Sequence, residues 1–100
     1  MEENTEEIIK EGHMLVHPIR HKIIDLLQQN PEGLHINEIS RSIKEDRKLV
    51  TYHLLTLLQH GFAESNYEIS KYPSSKGKAL KKITLTEKTK NTLAKLKEII

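Results

Sequence analysis

The chain has 100 residues, 36% of them apolar and 30% charged, with only four aromatic residues and no Cys. That is one domain's length with one aliphatic core, and the lack of Cys excludes disulfides, thiolate metal sites and cysteine nucleophiles. The formal charge of +2 hides an asymmetry: residues 1 to 11 carry a net of −4, whereas residues 71 to 97 hold nine Lys and one Glu. A basic second half fits a polyanion, and nucleic acid is the usual one; a solvated Lys-rich surface is the plainer reading of charge alone. No apolar run approaches the roughly 18 residues of a membrane-spanning helix. The acidic start is unlike a signal peptide. These features point to a soluble, cytoplasmic protein with no membrane partner.

In chain order, residues 1–16 read as a leading helix or a partly ordered arm, with Gly12 interrupting and Ile8 and Ile9 free for a partner surface. His17 to Asn30 is a helix. Pro18 suits its first position, its stripe is Ile19, Ile23, Ile24, Leu26 and Leu27, and Asn30-Pro31-Glu32-Gly33 ends it. Leu34-His35-Ile36 is a brief extended segment. Asn37 then caps a short helix over Glu38 to Ile43, and residues 44–46 turn the chain.

The next helix, about 47–60, is the centre of the reading. Leu49, Val50, Leu54, Leu57 and Leu58 give it one apolar face. Asp46 caps its start and Gly61 supplies a left-handed exit. Its first two turns carry Arg47, Lys48, Thr51 and Tyr52 on the other side. Two helices joined by a short turn, the second with a polar N-terminal face, make a helix-turn-helix. After Gly61 the period changes to that of strands over 62–72 and 79–85, a hairpin with a basic tip at residues 73–78. Thr86 caps a last helix, 87–100, with Leu93, Leu96, Ile99 and Ile100 on one side. The fold class is α+β, mostly α: a winged helix-turn-helix with a two-stranded β-hairpin wing. Its parts are an arm at 1–16, a nucleic-acid-binding body at 17–86 and a dimerisation helix at 87–100.

Three stretches carry a family resemblance. HPIRHKIIDLL resembles the first core helix of ArsR-type bacterial and archaeal regulators. LVTYHLLTLLQHGF is similar to their recognition helix, and ITLTEKTKNTL to their exit from the wing, with Thr89 where Gly is usual. MarR-type regulators share much of the pattern. The resemblance implies a homodimeric transcriptional regulator of double-stranded DNA, its recognition helices in successive major grooves and its wings on the backbone or minor groove.

On that basis Arg47, Lys48, Thr51 and Tyr52 are base- or phosphate-contacting candidates, because donors at a helix start reach guanine edges and phosphates. His53 either reaches DNA or packs through a hydrogen bond. Ser74, Ser75, Lys76 and Lys78 are the wing tip, with Lys as a point charge for phosphate. Leu55 lies off the main stripe, either covering a partner or thickening the core edge. Ile8, Ile9, Leu93, Leu96, Ile99 and Ile100 are the dimer candidates. His13, His17 and His21 are spaced by four, but Pro18 starts a new helix between them, so no metal site and no cofactor is assigned. No catalytic motif appears, and the chain reads as a non-enzyme. The alternatives are a winged helix used for protein–protein contact and a metal- or ligand-responsive form of the regulator.

Overall fold

In the computed structural model of the chain, residues 5–69 and 79–99 are described. Helix α1 spans Thr5–Leu15 and α2 Pro18–Gln29; strand β1 is Leu34–His35, followed by α3 at Ile36–Ile43 and α4 at Arg47–Gln59. Strands β2, Ala63–Ile69, and β3, Ala79–Leu85, precede α5 at Glu87–Ile99.

The winged helix-turn-helix expected from the element order is the architecture observed. The helices bury one stripe each, because aliphatic residues recur at three- and four-residue spacing. Leu15, Ile23, Ile24, Leu27, Ile39, Val50, Leu54, Leu57, Phe62, Ala63 and Ile83 form one core. Ile19, Leu26 and Ile43 pack partly buried against it. The single Phe of the chain is fully buried where α4 turns into β2.

Strand β3 is the centre of the sheet, antiparallel to β2 on one side and to β1 on the other. The hairpin is therefore joined by a third strand. Leu34 pairs with Ile83 and His35 with Lys82. Gly33 makes this docking possible. It has φ +96°, and a Cβ there would stand 2.8 Å from the Ile83 carbonyl oxygen and 2.7 Å from Thr84 Cγ2.

Three expectations are corrected. Helix α1 runs straight through Gly12, which is buried, and Leu96 of α5 closes on it so tightly that a Cβ would meet Leu96 Cδ2 at 2.5 Å. Gly12 is thus a close-packing residue rather than an interruption. Helix α3 begins at Ile36, capped by His35 and not by Asn37. The Glu38 carboxylate accepts from the His35 backbone N–H at 2.9 Å, which satisfies one N–H at the helix start. Leu49, placed on the apolar face by spacing, is 39% exposed, whereas His53, one turn later on the same side, is buried.

The two positive-φ glycines separate two physical effects. Gly33→Ala is expected to lower stability in urea unfolding by about 1–3 kcal/mol or more, from backbone strain plus the clash with β3. Gly61→Ala should lose less, because at φ +76° its Cβ would meet nothing closer than Lys88 Cδ at 3.8 Å. Equal losses would mean that the approach to β3 is not tight in solution.

Candidate nucleic-acid interface

Helix α4 is held at both ends. At its start the Asp46 carboxylate accepts from the backbone N–H of Lys48 at 2.9 Å and of Leu49 at 3.3 Å. The preceding turn is equally fixed. Lys44 takes the left-handed conformation at φ 56°, the Ser40 hydroxyl donates to the Glu45 carbonyl at 2.6 Å, and the Glu45 N–H returns to the Ser40 carbonyl at 3.2 Å.

At its end, three side chains of the α5 entrance capture the exit carbonyls. Lys88 Nζ donates to His60 O at 2.7 Å, Thr86 Oγ1 to Gly61 O at 2.6 Å, and Thr89 Oγ1 to Phe62 O at 2.6 Å. The Lys88 ammonium also lies 4.6 Å from the centre of the Phe62 ring, a favourable cation–π placement. Thr89, which departs from the Gly of the resembled pattern, is fully buried and hydrogen-bonded here.

Between these ends Val50, His53, Leu54 and Leu57 are buried and the other face is free. Arg47 and Lys48 are exposed, Tyr52 is 61% exposed and Thr51 is half-buried. The Thr51 hydroxyl donates to the Arg47 carbonyl at 2.7 Å, which leaves its oxygen lone pairs to accept. The structure thus brings Arg47, Lys48 and Tyr52 to one outward surface at the start of α4, with the half-buried Thr51 at its edge; the free N–H groups of Lys48 and Leu49 are already taken by Asp46, so the side chains are what this surface offers a ligand.

The remaining candidates divide. His53, one reading of which put it on DNA, is 3% exposed, and its Nδ1 accepts from Arg20 Nε at 3.1 Å. Its ring lies 4.5 Å from that of His17 and 5.1 Å edge-on from that of Tyr52, centre to centre. The packing reading holds, and His53 does not belong to the outward surface. Burial first, then the facing His17 and Arg20, hold its pKa below 6.5. Leu55 is 47% exposed and edges a small, mostly apolar hollow of about 60 Å³ with Ile36, Leu54, Leu58 and Ile83, to which Thr51 and Lys81 also contribute. A hollow of that size is well under the roughly 300 Å³ of a small-molecule site.

Ser74, Ser75, Lys76 and Lys78 lie outside the described residues; Lys81, on β3, is exposed. Of the dimer candidates, Leu93 packs on the core and Leu96 on Gly12 of the same chain, so the expected apolar stripe narrows. Ile9 at 45% and Ile99 at 41% exposure remain outward, Ile8 is half-buried and Ile100 is outside the described residues. The break between α1 and α2 at residues 16–17 separates His13 from His17 and His21. His17 instead caps α2, its Nδ1 accepting from Ile19 N–H at 3.2 Å. Among the described residues no His, Asp and Glu side chains gather in a group able to hold a metal ion.

Sequence reasoning did not single out Arg20, although it lies within the HPIRHKIIDLL stretch that carries the resemblance. Its role depends on a partner 33 residues away, and no local pattern announces that.

No protein-family model matches the chain, and no curated protein does. Solved structures do. The diamide-treated YodB from B. subtilis superposes with TM-score 0.76 at 20% identity, over 98% of this chain and 90% of that one. A predicted DNA-binding transcriptional regulator from E. coli gives TM-score 0.70 at 19% identity, over 95% and 90%. The transcriptional repressor CouR, bound to a 23-mer DNA duplex, gives TM-score 0.62 at 24% identity, over 86% and 58%. The likeness establishes the winged-helix fold.

Two outcomes are expected. Asp46→Ala should reduce stability in urea by about 0.5–2 kcal/mol, through loss of the acceptor for two orphan N–H groups, with Asp46→Asn retaining most of it. In the second, the depressed pKa of His53 makes the unfolded chain bind more protons than the folded one below pH 6.5. Stability therefore falls as pH drops below that value. Between about pH 7.5 and about pH 5 the unfolding midpoint should fall further for the natural protein than for His53→Asn.

Proposed function

We propose that the protein is a homodimeric, sequence-specific double-stranded DNA-binding transcriptional regulator, without enzymatic activity and working in the cytoplasm, where DNA is accessible to it. The observation that carries the reading is the outward face of the first two turns of α4. Arg47, Lys48 and Tyr52 stand in solvent on a helix that is capped at its start and buried on its opposite side. A core helix has no use for that set, whereas a helix inserted end-first into a major groove does. Arg47 would pair with a guanine, and Thr51 and Tyr52 would touch a base or a phosphate. The DNA-bound state of CouR supports the assignment by analogy of fold.

In this reading residues 17–86 bind DNA, with Ser74, Ser75, Lys76 and Lys78 on phosphates or the minor groove, joined by the exposed Lys81. The paired helices α1 and α5 present Ile8, Ile9, Ile99 and Ile100 to a second copy, with Leu93 and Leu96 supporting that face from behind. A two-fold dimer would set its recognition helices about 34 Å apart and read a palindrome. Within winged-helix regulators the motifs quoted above favour the ArsR-like side over the MarR-like one.

The test is selection of bound sequences from a random duplex pool with salt varied. Enrichment of a palindrome is expected, with affinity falling steeply between about 50 mM and about 200 mM salt. Arg47→Ala should relax the preference at one base position, at a loss of roughly 1–3 kcal/mol. Lys76→Ala should weaken all sequences alike and flatten the salt slope by about one. A steep slope with no enriched sequence would leave a non-specific DNA binder, and no binding at modest salt would overturn the reading in favour of a protein-contact module.

A further inference from the structure

We propose that Arg20 and His53 are a positioning pair that locks the DNA-reading helix α4 to α1 and α2, and that a proton on His53 releases it. The inference rests on the DNA-binding reading for its consequence and on contacts within the chain for its mechanism.

A single guanidinium bridges three helices. Arg20 belongs to α2; its Nη1 donates to the Met14 carbonyl in the last turn of α1 at 3.2 Å, and its Nε donates to His53 Nδ1 of α4 at 3.1 Å. The Met14 carbonyl lies in the turn where helix carbonyls lack intrahelical donors, so the Arg20 contact also completes α1. Apolar packing alone allows a helix to roll by small amounts about its axis. Two directional bonds from one planar, pre-organised fork do not. His53 is the residue after Tyr52 in α4, and its ring meets the Tyr52 ring edge-on. A shift of the buried ring is therefore felt directly on the outward surface.

The bond requires a bare Nδ1. Arg carries donors only and keeps its charge. When His53 takes a second proton, Nδ1 becomes a donor facing a donor, and the buried ring carries a second positive charge against the half-buried guanidinium. The groups facing the His53 ring are Arg20 from α2, His17 from the cap that precedes α2 and Tyr52 from α4 itself, and the Met14 carbonyl of α1 already holds the other side of the guanidinium. These neighbours include no carboxylate to absorb the new charge. Protonation therefore breaks the tie between α4 and the α1–α2 corner. Because α1 is also the helix offered to a second copy, the pair would connect subunit pairing to the reading helix.

The experiment follows binding of the full chain to its selected duplex and to a random-sequence duplex by fluorescence anisotropy, from about pH 7.5 to about pH 5. The preference of the natural protein for the selected duplex is expected to fall at least about fivefold over that range. His53→Asn places an acceptor oxygen near the position of Nδ1 but does not titrate, and should keep the preference while losing its pH dependence. Arg20→Gln should weaken the preference at every pH and flatten the profile, with Arg20→Lys recovering part of it. An identical fall in the natural protein and in His53→Asn would overturn the proposal.

A second readout needs no DNA. In NMR spectra of the natural protein, the Tyr52 ring signals should move with the titration of the His53 ring, and in Arg20→Gln that titration should shift to higher pH. Tyr52 signals that ignore His53 would overturn the proposal even if DNA binding holds. Coupled signals without DNA binding would instead sink only the functional reading.

Discussion

The structure depends on fixing one helix while leaving half of it bare. Helix α4 buries Val50, Leu54 and Leu57 in the common core, which sets its depth and tilt. Hydrophobic contact has no direction, so the rotation and ends of the helix are set by polar groups. Asp46 takes the first free N–H groups, and Lys88, Thr86 and Thr89 take the carbonyls where the helix gives way to β2. Orphan donors and acceptors at helix ends must find partners. Here Asp46 comes from the adjoining turn and the other partners from an element about 27 residues on, so α5 and the α3–α4 turn both become parts of the mounting of α4.

That mounting explains the shape of the rest. Strand β3 sits between β1 and β2 and leads directly into Thr86, so the sheet and the α4 exit share one junction at Phe62. The Phe62 carbonyl accepts both from Thr86 N–H at 3.1 Å and from the Thr89 hydroxyl, which uses both of its lone pairs. Along α5, α1 closes in through Gly12 and Leu96, and Lys88 faces Glu11 at 3.5 Å across the same contact. The latter pair is solvent-exposed and contributes little. The close approach at Gly12 is what brings the two terminal helices together, and it turns Leu96 from a partner-facing residue into an internal one.

Much of this was legible in the sequence because the signals are local. The stripes of α2 and α4 follow from aliphatic spacing, Asp46 as a cap and Gly61 as an exit follow from their positions beside a periodic run, and the outward set of Arg47, Lys48, Thr51 and Tyr52 follows from the same wheel. These are determined by 3.6-residue geometry and by the chemistry of helix ends, both of which act over a few residues. The change to strand period after Gly61 and the start of α5 near Thr86 were determined in the same way.

The tertiary structure decided what periodicity treats as equivalent. Leu49 and His53 lie close together on the wheel of α4, yet the His is the buried one, with the half-buried Arg20 as its hydrogen-bond donor, and the Leu is the half-exposed one. Gly12 reads as a helix breaker until Leu96 is seen to occupy the space of its missing Cβ. His35 outranks Asn37 as a cap because β1 docks on β3 and fixes the backbone at His35 in an extended conformation, with its ring nitrogen at 3.0 Å from the Lys81 carbonyl oxygen. In each case the deciding partner is tens of residues away. A side chain's type fixes which bonds it can make, but only the assembled fold fixes which partner arrives, and a buried polar group or a close backbone contact is stable only when that partner is present.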